Sequence, residues 1–294
     1  MRVALFGRSL SDSGSSAFAV LLQELSDRKA TVWMVESLAR MLSGFIPSSL
    51  QVQLYTLEDS LAGLDAMITI GGDGTLLEAL THIRDSDVPV VGINTGRLGF
   101  LTAFPVGEIP LAVQLIAEGK AHYEARTLLG LETAGNPFAK FPVALNEVTI
   151  HKRDTSSMIT LEVTRNGKEL NTYWADGLII STATGSTGYS LSCGGPVLLP
   201  ELANLVITPI APHNLNVRPL VVSEDDELCI RAEARGNAKI MISMDSRSAP
   251  VPGGQQLIVK KAPYRVRLMK REHPDFLDTL RNKLMWGNDK RKEK

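Results

Sequence analysis

Three glycines surround a single acid in Gly71-Gly72-Asp73-Gly74-Thr75. Glycine at this density lets the backbone turn sharply and lets a ligand approach the main chain. The apolar run Ala66 to Ile70 precedes the loop, and Leu76, Leu77, Leu80 and Ile83 follow it at helical spacing. The loop is therefore expected at the carboxyl end of a strand, opening a helix. Free N–H groups and the positive end of the helix dipole at such a place accept phosphate oxygens, and open α/β sheets bind ligands at the carboxyl ends of parallel strands. Gly71, Gly72, Gly74 and Thr75 are accordingly predicted to cradle the phosphates of a donor. Asp73 has two readings: a helix N-cap, or an acceptor for the proton of an attacking hydroxyl. The apolar strand before it and the apolar helix after it favour the second.

Two later segments carry further chemistry. Leu145-Asn146-Glu147-Val148 sets an amide beside a carboxylate, and on a regular strand the two would point to opposite faces unless a bulge or turn intervenes. The stretch DGLIISTATGSTGYSLSCGGP, from Asp176 to Pro196, is rich in glycine and small hydroxyl residues, with an acid before them and Tyr189 inside. Hydroxyls and backbone amides offer many neutral donors to phosphate and ribose oxygens. The apolar, strand-like start DGLIIST anchors this stretch in a core.

The elements that must position these residues fall into two patterns. Over residues 1–125 short apolar runs alternate with helical spacing. Arg2 to Gly7, Gln51 to Tyr55, Ala66 to Ile70 and Val88 to Asn94 read as strands, and residues 15–27, 31–43 and Leu111 to Glu118 as helices, the last closed by Gly119. That alternation predicts an α/β N-terminal domain with a parallel sheet. Over residues 126–270 the helical period disappears. Ile159, Leu161 and Val163 alternate with Thr160, Glu162 and Thr164, and Asn166-Gly167 is a hairpin signal. Apolar runs at 178–181, 205–210, 220–222, 227–232, 239–244, 256–260 and 264–269 are separated by turns such as Asp245-Ser246 and Pro252-Gly253-Gly254, which predicts an all-β, sandwich-like C-terminal domain. Residues 271–294 are expected to form a C-terminal helix from Pro274 to Trp286, with Phe276, Leu277, Leu280 and Leu284 on one stripe, and a charged tail. The helix is expected to pack back on the first domain.

Composition bounds the partners. The 294 residues are 44% hydrophobic and 21% charged, with 31 basic and 32 acidic side chains and a formal charge of −1. A sizeable core is possible, and a near-neutral balance argues against nucleic acid or a membrane surface as the partner. No apolar stretch reaches the length of a membrane span, and the cytoplasm is the expected location. Cys193 and Cys229 form no metal-binding spacing, and His82, His122, His151, His213 and His273 are too scattered for a metal cluster.

GGDGT is shared by NAD kinases, by diacylglycerol and sphingosine kinases and, more distantly, by phosphofructokinases. Four blocks in order make the choice: GGDGT, the segment GINTGRLGFL from Gly92 to Leu101, the Asn146-Glu147 pair, and the DG and TGSTGYSLSCGGP stretch. Together they resemble the NAD kinase family over roughly residues 60–250. The resemblance implies transfer of the γ-phosphate of ATP to the 2′-hydroxyl of the adenosine ribose of NAD, with a divalent metal such as Mg2+ and a homodimer or homotetramer. It assigns Asp73 as the base, with Gly74 beside it. To the NAD pocket it assigns Phe100, Asn146, Glu147, Asp176, Thr184, Thr187, Gly188, Tyr189, Ser190, Leu191, Ser192 and Ala211. Gly188 and Cys193 stand where alanines are commoner, Ala183 replaces a proline, and Ser246-Arg247 replaces a Gly-Gln turn. Arg97 is a candidate partner for the donor's charge. A lipid kinase sharing GGDGT and a non-catalytic dinucleotide sensor are the alternatives.

Overall fold

The structure, a computed structural model, describes residues 1–8, 12–96, 99–153, 158–214, 216–271 and 275–285. The chain divides into two compact units, Met1–Ala125 with Val266–Lys294, and Arg126–Arg265. Each is built on its own core.

The first unit contains β1 (Arg2–Phe6), α1 (Asp12–Asp27), β2 (Thr31–Met34), α2 (Glu36–Met41), β3 (Gln51–Leu54), β4 (Ala66–Gly71), α3 (Asp73–Ile83), β5 (Val90–Asn94), β6 (Phe104–Pro105) and α4 (Ile109–Ala117). Its strands run parallel in the order β6-β5-β4-β1-β2-β3. β4 and β5 are almost wholly buried, as central parallel strands covered on both faces must be. On one face Val3, Leu5, Ile68, Ile70, Val91 and Ile93 pack against Phe18, Leu21 and Leu25 of α1 and Ile109, Val113 and Ile116 of α4. α3 lies against β4 and β5 with Leu76, Ala79, Leu80 and Ile83 buried. Gly119 closes α4 at φ +64, and the Lys120 amide returns to the Leu115 carbonyl, the C-terminal glycine cap expected of it.

One expectation fails here. Residues 31–43 are not a single helix but β2 followed by the short α2. Thr31-Val32-Trp33 combines β-branched and aromatic residues that suit a pleated surface. Pairing with β1 buries Val32 and Met34 in the core, which outweighs the weak helical spacing.

The second unit holds β7 (Tyr123–Thr133), β8 (Val143–Ala144), β9 (Glu147–Lys152), β10 (Ile159–Arg165), β11 (Lys168–Ala175), β12 (Gly177–Thr182), α5 (Tyr189–Ser192), β13 (Asn204–Ile210), β14 (Leu220–Ser223), β15 (Leu228–Glu233), β16 (Lys239–Met244), β17 (Arg247–Pro252) and most of β18 (Gln256–Met269). One sheet runs β14-β13-β12-β9-β16-β17, antiparallel throughout. Opposite it lie β11, β10, β15 and β18, also antiparallel. Val148, Ile150, Leu178, Ile180, Ile240 and Ile242 of the first sheet share a core with Leu161, Val163, Ile230, Leu257 and Val259 of the second, the two-layer packing of a sandwich. Asn166 and Gly167 both take positive φ between β10 and β11, as a tight hairpin turn requires.

The two apolar runs at 256–260 and 264–269 prove to be one strand, β18. Pro263 falls between the stretch paired with β15 and Leu268, which pairs with β5, so its missing N–H removes no bond from those two ladders; β18 also pairs with β7. The last helix, α6 (Phe276–Leu284), opens on a capping box in which Asp275 accepts from the Asp278 amide and Asp278 accepts from the Asp275 amide. Pro274 and Trp286, the expected ends of that helix, lie outside the described residues, as do Arg97 and His273. Among the described residues no helix is long and apolar enough to cross a membrane.

Candidate active site

In the first unit β4 delivers the chain to Gly71, whose φ of +152 and closeness to Thr75 leave no room for a side chain; a Cβ there would stand 2.8 Å from Thr75 Cβ. Gly72 is the N-cap of α3, and its carbonyl accepts from the Thr75 and Leu76 amides. Asp73 is therefore the first helical residue rather than the N-cap. Its carboxylate turns to the segment after β5. Oδ2 accepts from the Phe100 amide at 2.8 Å; Oδ1 accepts from the Leu101 and Thr102 amides at 3.1 and 3.0 Å and from the Thr102 hydroxyl at 2.9 Å.

That network extends backwards. The Asn94 amide donates to Thr102 Oγ1 at 2.7 Å, and its own oxygen accepts from the Gly96 amide. Gly99 completes the enclosure, because a Cβ there would overlap both Asp73 Oδ1 and Thr102 Oγ1. Asn94, Gly99 and Thr102 were not among the predicted site residues. The signal for Asn94 and Gly99 lay in the Gly92–Leu101 block, where the asparagine at a buried strand end and the third glycine have no core role; Thr102 follows directly after it. Phe100 turns its ring toward α6, 5.9 Å from the Phe276 ring, with Lys283 Nζ 4.5 Å from its centre. Arg8, two residues after β1, pairs with Glu78 of α3, and its guanidinium lies 3.7 Å from where a Gly74 side chain would start. A cation thus stands beside the glycine loop.

In the second unit the first sheet splits its residues by parity. Val148 and Ile150 enter the core, while Glu147, Thr149 and His151 line a pocket of about 440 Å³ on the opposite face, with Lys152, Asp176, Tyr189, Ile210, Ser243 and Asp245. A bend at Leu145 and Asn146 separates β8 from β9, the break that the adjacent amide and carboxylate needed. Asp245, in the turn between β16 and β17, holds this bend: its carboxylate accepts from the Leu145, Asn146 and Glu147 amides at 2.9, 2.8 and 3.3 Å. Sequence reading recognised that turn but not its acid as a support for the Asn-Glu pair. Burial pushes the Asp245 carboxyl up, against the pull of those three amides.

Glu147 is raised from its ordinary 4.5 to about 8, first by burial and then by the neighbouring Asp245, while the Tyr189 backbone amide opposes the shift. Its Oε2 is buried with no hydrogen-bond partner. Folding thus binds a proton that the unfolded chain releases. Stability is complete below the ordinary glutamate range and is lost as pH rises through about 8. Asp245, also raised, adds in the same direction. Glu147→Gln should therefore flatten the fall in melting temperature between pH 6 and 9. Identical pH profiles for the variant and the parent protein would remove Glu147 from the account.

The hydroxyl-rich loop packs closely on the same bend. Thr182 Oγ1 donates to the Leu145 carbonyl at 2.6 Å and accepts from the Gly185 amide. A Cβ at Gly185 would overlap the Asn146 carbonyl oxygen. Several hydroxyls are engaged internally. Thr184 accepts from Arg126, Thr187 donates to the Thr184 carbonyl, Ser186 pairs with Leu198, and the fully buried Ser190 pairs with Thr208. Tyr189 and Ser192 are exposed, Leu191 and Gly188 partly so. Asp176 pairs with Lys152 at 2.6 Å. Its amide donates to the Ile210 carbonyl, which sets it beside Ala211, exposed at φ +44. Arg247 points away from the pocket. It donates to the Phe141 and Val143 carbonyls at 2.5 Å each and stacks 4.9 Å from the Phe141 ring, so its place in the turn is structural.

The family model of the ATP-NAD kinase N-terminal domain matches residues 4–121, and that of the ATP-NAD kinase C-terminal domain residues 145–271. An NAD kinase of Flavobacterium psychrophilum is 44% identical over 99% of this chain and all of its own length. Those of Cytophaga hutchinsonii and Bacteroides fragilis are 42% and 38% identical, again over 99% of the chain and all of their own length. Among solved structures, yeast NADH kinase complexed with NADH aligns with a TM-score of 0.90 at 23% identity, covering all of this chain and 90% of that one. An NAD kinase from Archaeoglobus fulgidus in complex with ATP aligns at 0.72 and 24%, covering 97% and 98%. At these identities the two structures bear on the fold.

Proposed function

The chain belongs to the NAD kinase family, and from that premise we propose that it transfers the γ-phosphate of ATP to the 2′-hydroxyl of the adenosine ribose of NAD, giving NADP. The observation that carries the assignment of an acceptor is the second unit's pocket. Glu147, Asp176 and Asp245 bring carboxyl groups around Tyr189, and one Glu147 oxygen is left unpartnered. A ligand rich in hydroxyls can donate to those carboxyl oxygens and accept from Thr149, His151, Lys152 and Ser243 of the same lining.

Phosphoryl transfer through a loose transition state asks for alignment and charge neutralisation more than covalent help. In our reading Gly71, Gly72, Gly74 and Thr75 receive the donor's phosphates at the start of α3, with Arg8 adding positive charge. Asp73 Oδ1 is saturated by three donors, whereas Oδ2 carries one, so a lone pair on Oδ2 remains to accept from the 2′-hydroxyl and aim it. Phe100, Asn146, Glu147, Asp176, Thr184, Ala211 and the stretch from Thr187 to Ser192 serve the dinucleotide; the buried Thr184 and Ser190 act through the loop they hold. No group of three acidic, histidine or cysteine side chains suited to a metal occurs among the described residues. Mg2+, when bound with the donor, would neutralise its phosphates, a mode of binding that ion favours. A homodimer or homotetramer in the cytoplasm is the setting we propose. The exposed Leu220 and Val221 on edge strand β14 are apolar surface that an assembly would cover.

Purified protein incubated with NAD, ATP and Mg2+ should form NADP. Tight NAD binding without turnover would instead make the chain a sensor, and phosphorylation of diacylglycerol or a sphingoid base in a parallel reaction would make it a lipid kinase.

A further inference from the structure

In the first unit β6, the turn after it, α4 and the end of β18 line a second cavity, of about 900 Å³. That size suits a small organic molecule. Phe104, Leu111 and Leu115 give it an apolar side, and Lys120, Lys270 and Arg271 a basic one, with Glu108 as its one carboxylate. Leu111 and Leu115 lie one helical turn apart and share a face of α4. Leu111 is 45% exposed, a large apolar side chain that no core covers. Gly119 turns the chain at the end of α4, and Lys120 follows it. The Lys270 amide then donates to the His122 carbonyl at 2.8 Å, which sets the two basic segments side by side. Each of the three cations keeps a carboxylate: Lys120 with Glu118 at 2.8 Å, Lys270 with Glu124 at 2.5 Å, and Arg271 with Glu108. Glu118 and Glu124 lie outside the lining, and the two lysines are 70% and 52% exposed. Pairs that exposed are weak, and an ammonium has three donors, so one carboxylate does not exhaust it. The lining therefore favours negative charge beside an apolar surface. The chain's own last residues do not match it, since Lys290-Arg291-Lys292-Glu293-Lys294 repeats its sign.

We propose that this cavity is a binding site for a small organic anion with an apolar body, separate from the places assigned to NAD and ATP. A carboxylate, sulfonate or phosphate ester fits it: the charged group is drawn to Lys120 and Lys270, and the hydrocarbon part lies on Leu111 and Leu115. None of the residues assigned to either substrate lines it.

The test titrates the full-length protein with anilinonaphthalene sulfonate, an aromatic anion whose fluorescence rises when it leaves water, in saturating NAD and ADP so that the substrates' places are filled. One saturable site is expected. Exchanging both lysines, Lys120→Gln with Lys270→Gln, should raise the Kd at least about tenfold through the loss of charge-assisted hydrogen bonds. Both side chains are exposed, so the melting temperature should hold. Leu111→Asp, also at an exposed position, should weaken the probe by a similar factor, because it sets a like charge on the apolar face. Phenylnaphthylamine, the same rings without the sulfonate, should bind at least about tenfold more weakly than the anion. The lysine variant locates the site whether or not the chain turns over NAD. The proposal is overturned if the probe finds no saturable site, if the lysine variant or Leu111→Asp keeps the parent Kd, or if the neutral analogue binds as tightly as the sulfonate.

Discussion

Asp73→Asn should lower the rate of NADP formation at least about a hundredfold and, unlike an ordinary surface change, should also lower the melting temperature. The second effect follows from the carboxylate's position. All four of its protein partners are donors: the Phe100, Leu101 and Thr102 amides and the Thr102 hydroxyl. Asparagine presents one oxygen and one NH2. If the oxygen takes the three donors at Oδ1, the NH2 meets the Phe100 N–H head on, donor against donor. The reversed rotamer is worse, since it turns three donors against the NH2. At least one charge-assisted bond is lost and a part-buried amide left without an acceptor, at a cost of about 1–3 kcal/mol. For a unit of this size each kcal/mol corresponds to roughly 2–4 °C. The kinetic loss has the same root. Oδ2 is the oxygen with spare capacity, and the favoured rotamer replaces it by a nitrogen that cannot accept from the substrate hydroxyl. A variant that turns over NAD near the parent rate would remove Asp73 from the chemistry, even if its melting temperature fell as expected.

This double duty bears on what could be read from the residues alone. The strands carrying the loop were legible because β4 and β5 are continuous apolar runs with sharp polar ends, and α3 keeps a clean stripe. The presence of an acid in a glycine turn was legible too. What it holds was not, because its partners lie 27 to 29 residues further on and three of the four are backbone amides, which carry no side-chain signature. Asp245 repeats the lesson at greater range, about 100 residues from the amides it caps. In both cases the residue pattern located the carboxylate and the coordinates supplied its use. The hydroxyl-rich loop misled in the opposite sense. Its Ser and Thr types suggested ligand donors, yet Ser186, Ser190 and Thr182 spend their hydrogen bonds on the loop's own footing. Small polar residues serve either end, and burial decides which. Helical spacing over residues 31–43 failed for a related reason: a pattern that short is overridden by a neighbouring strand such as β1.

Gly185→Ala is expected to be the most damaging single methyl in the second unit. The added Cβ would overlap the Asn146 carbonyl oxygen and stand 2.5 Å from its carbon and 2.7 Å from its Cα. All three are backbone atoms, so no rotamer change relieves the contact. Nor can the bend carrying Asn146 simply retreat. The Asp245 carboxylate grips the amides of residues 145–147, the Thr182 amide and hydroxyl bond the Asn146 and Leu145 carbonyls, and Val148 beyond is fully buried. Either the loop lifts off the bend, breaking the bond between the Gly185 amide and Thr182 Oγ1, or Asn146 and Glu147 move with their anchors. Overpacking of this kind costs about 1–3 kcal/mol or more. Both responses displace the Asn-Glu pair, so the KM for NAD should rise well beyond tenfold while the KM for ATP, bound at the first unit's loop in our reading, changes far less. Gly44→Ala is the matching control: nothing lies within 4 Å of the added methyl, and stability and both KM values should hold. If Gly185→Ala left the KM for NAD unchanged, the close seating of the loop on Asn146 would not be what shapes the dinucleotide site.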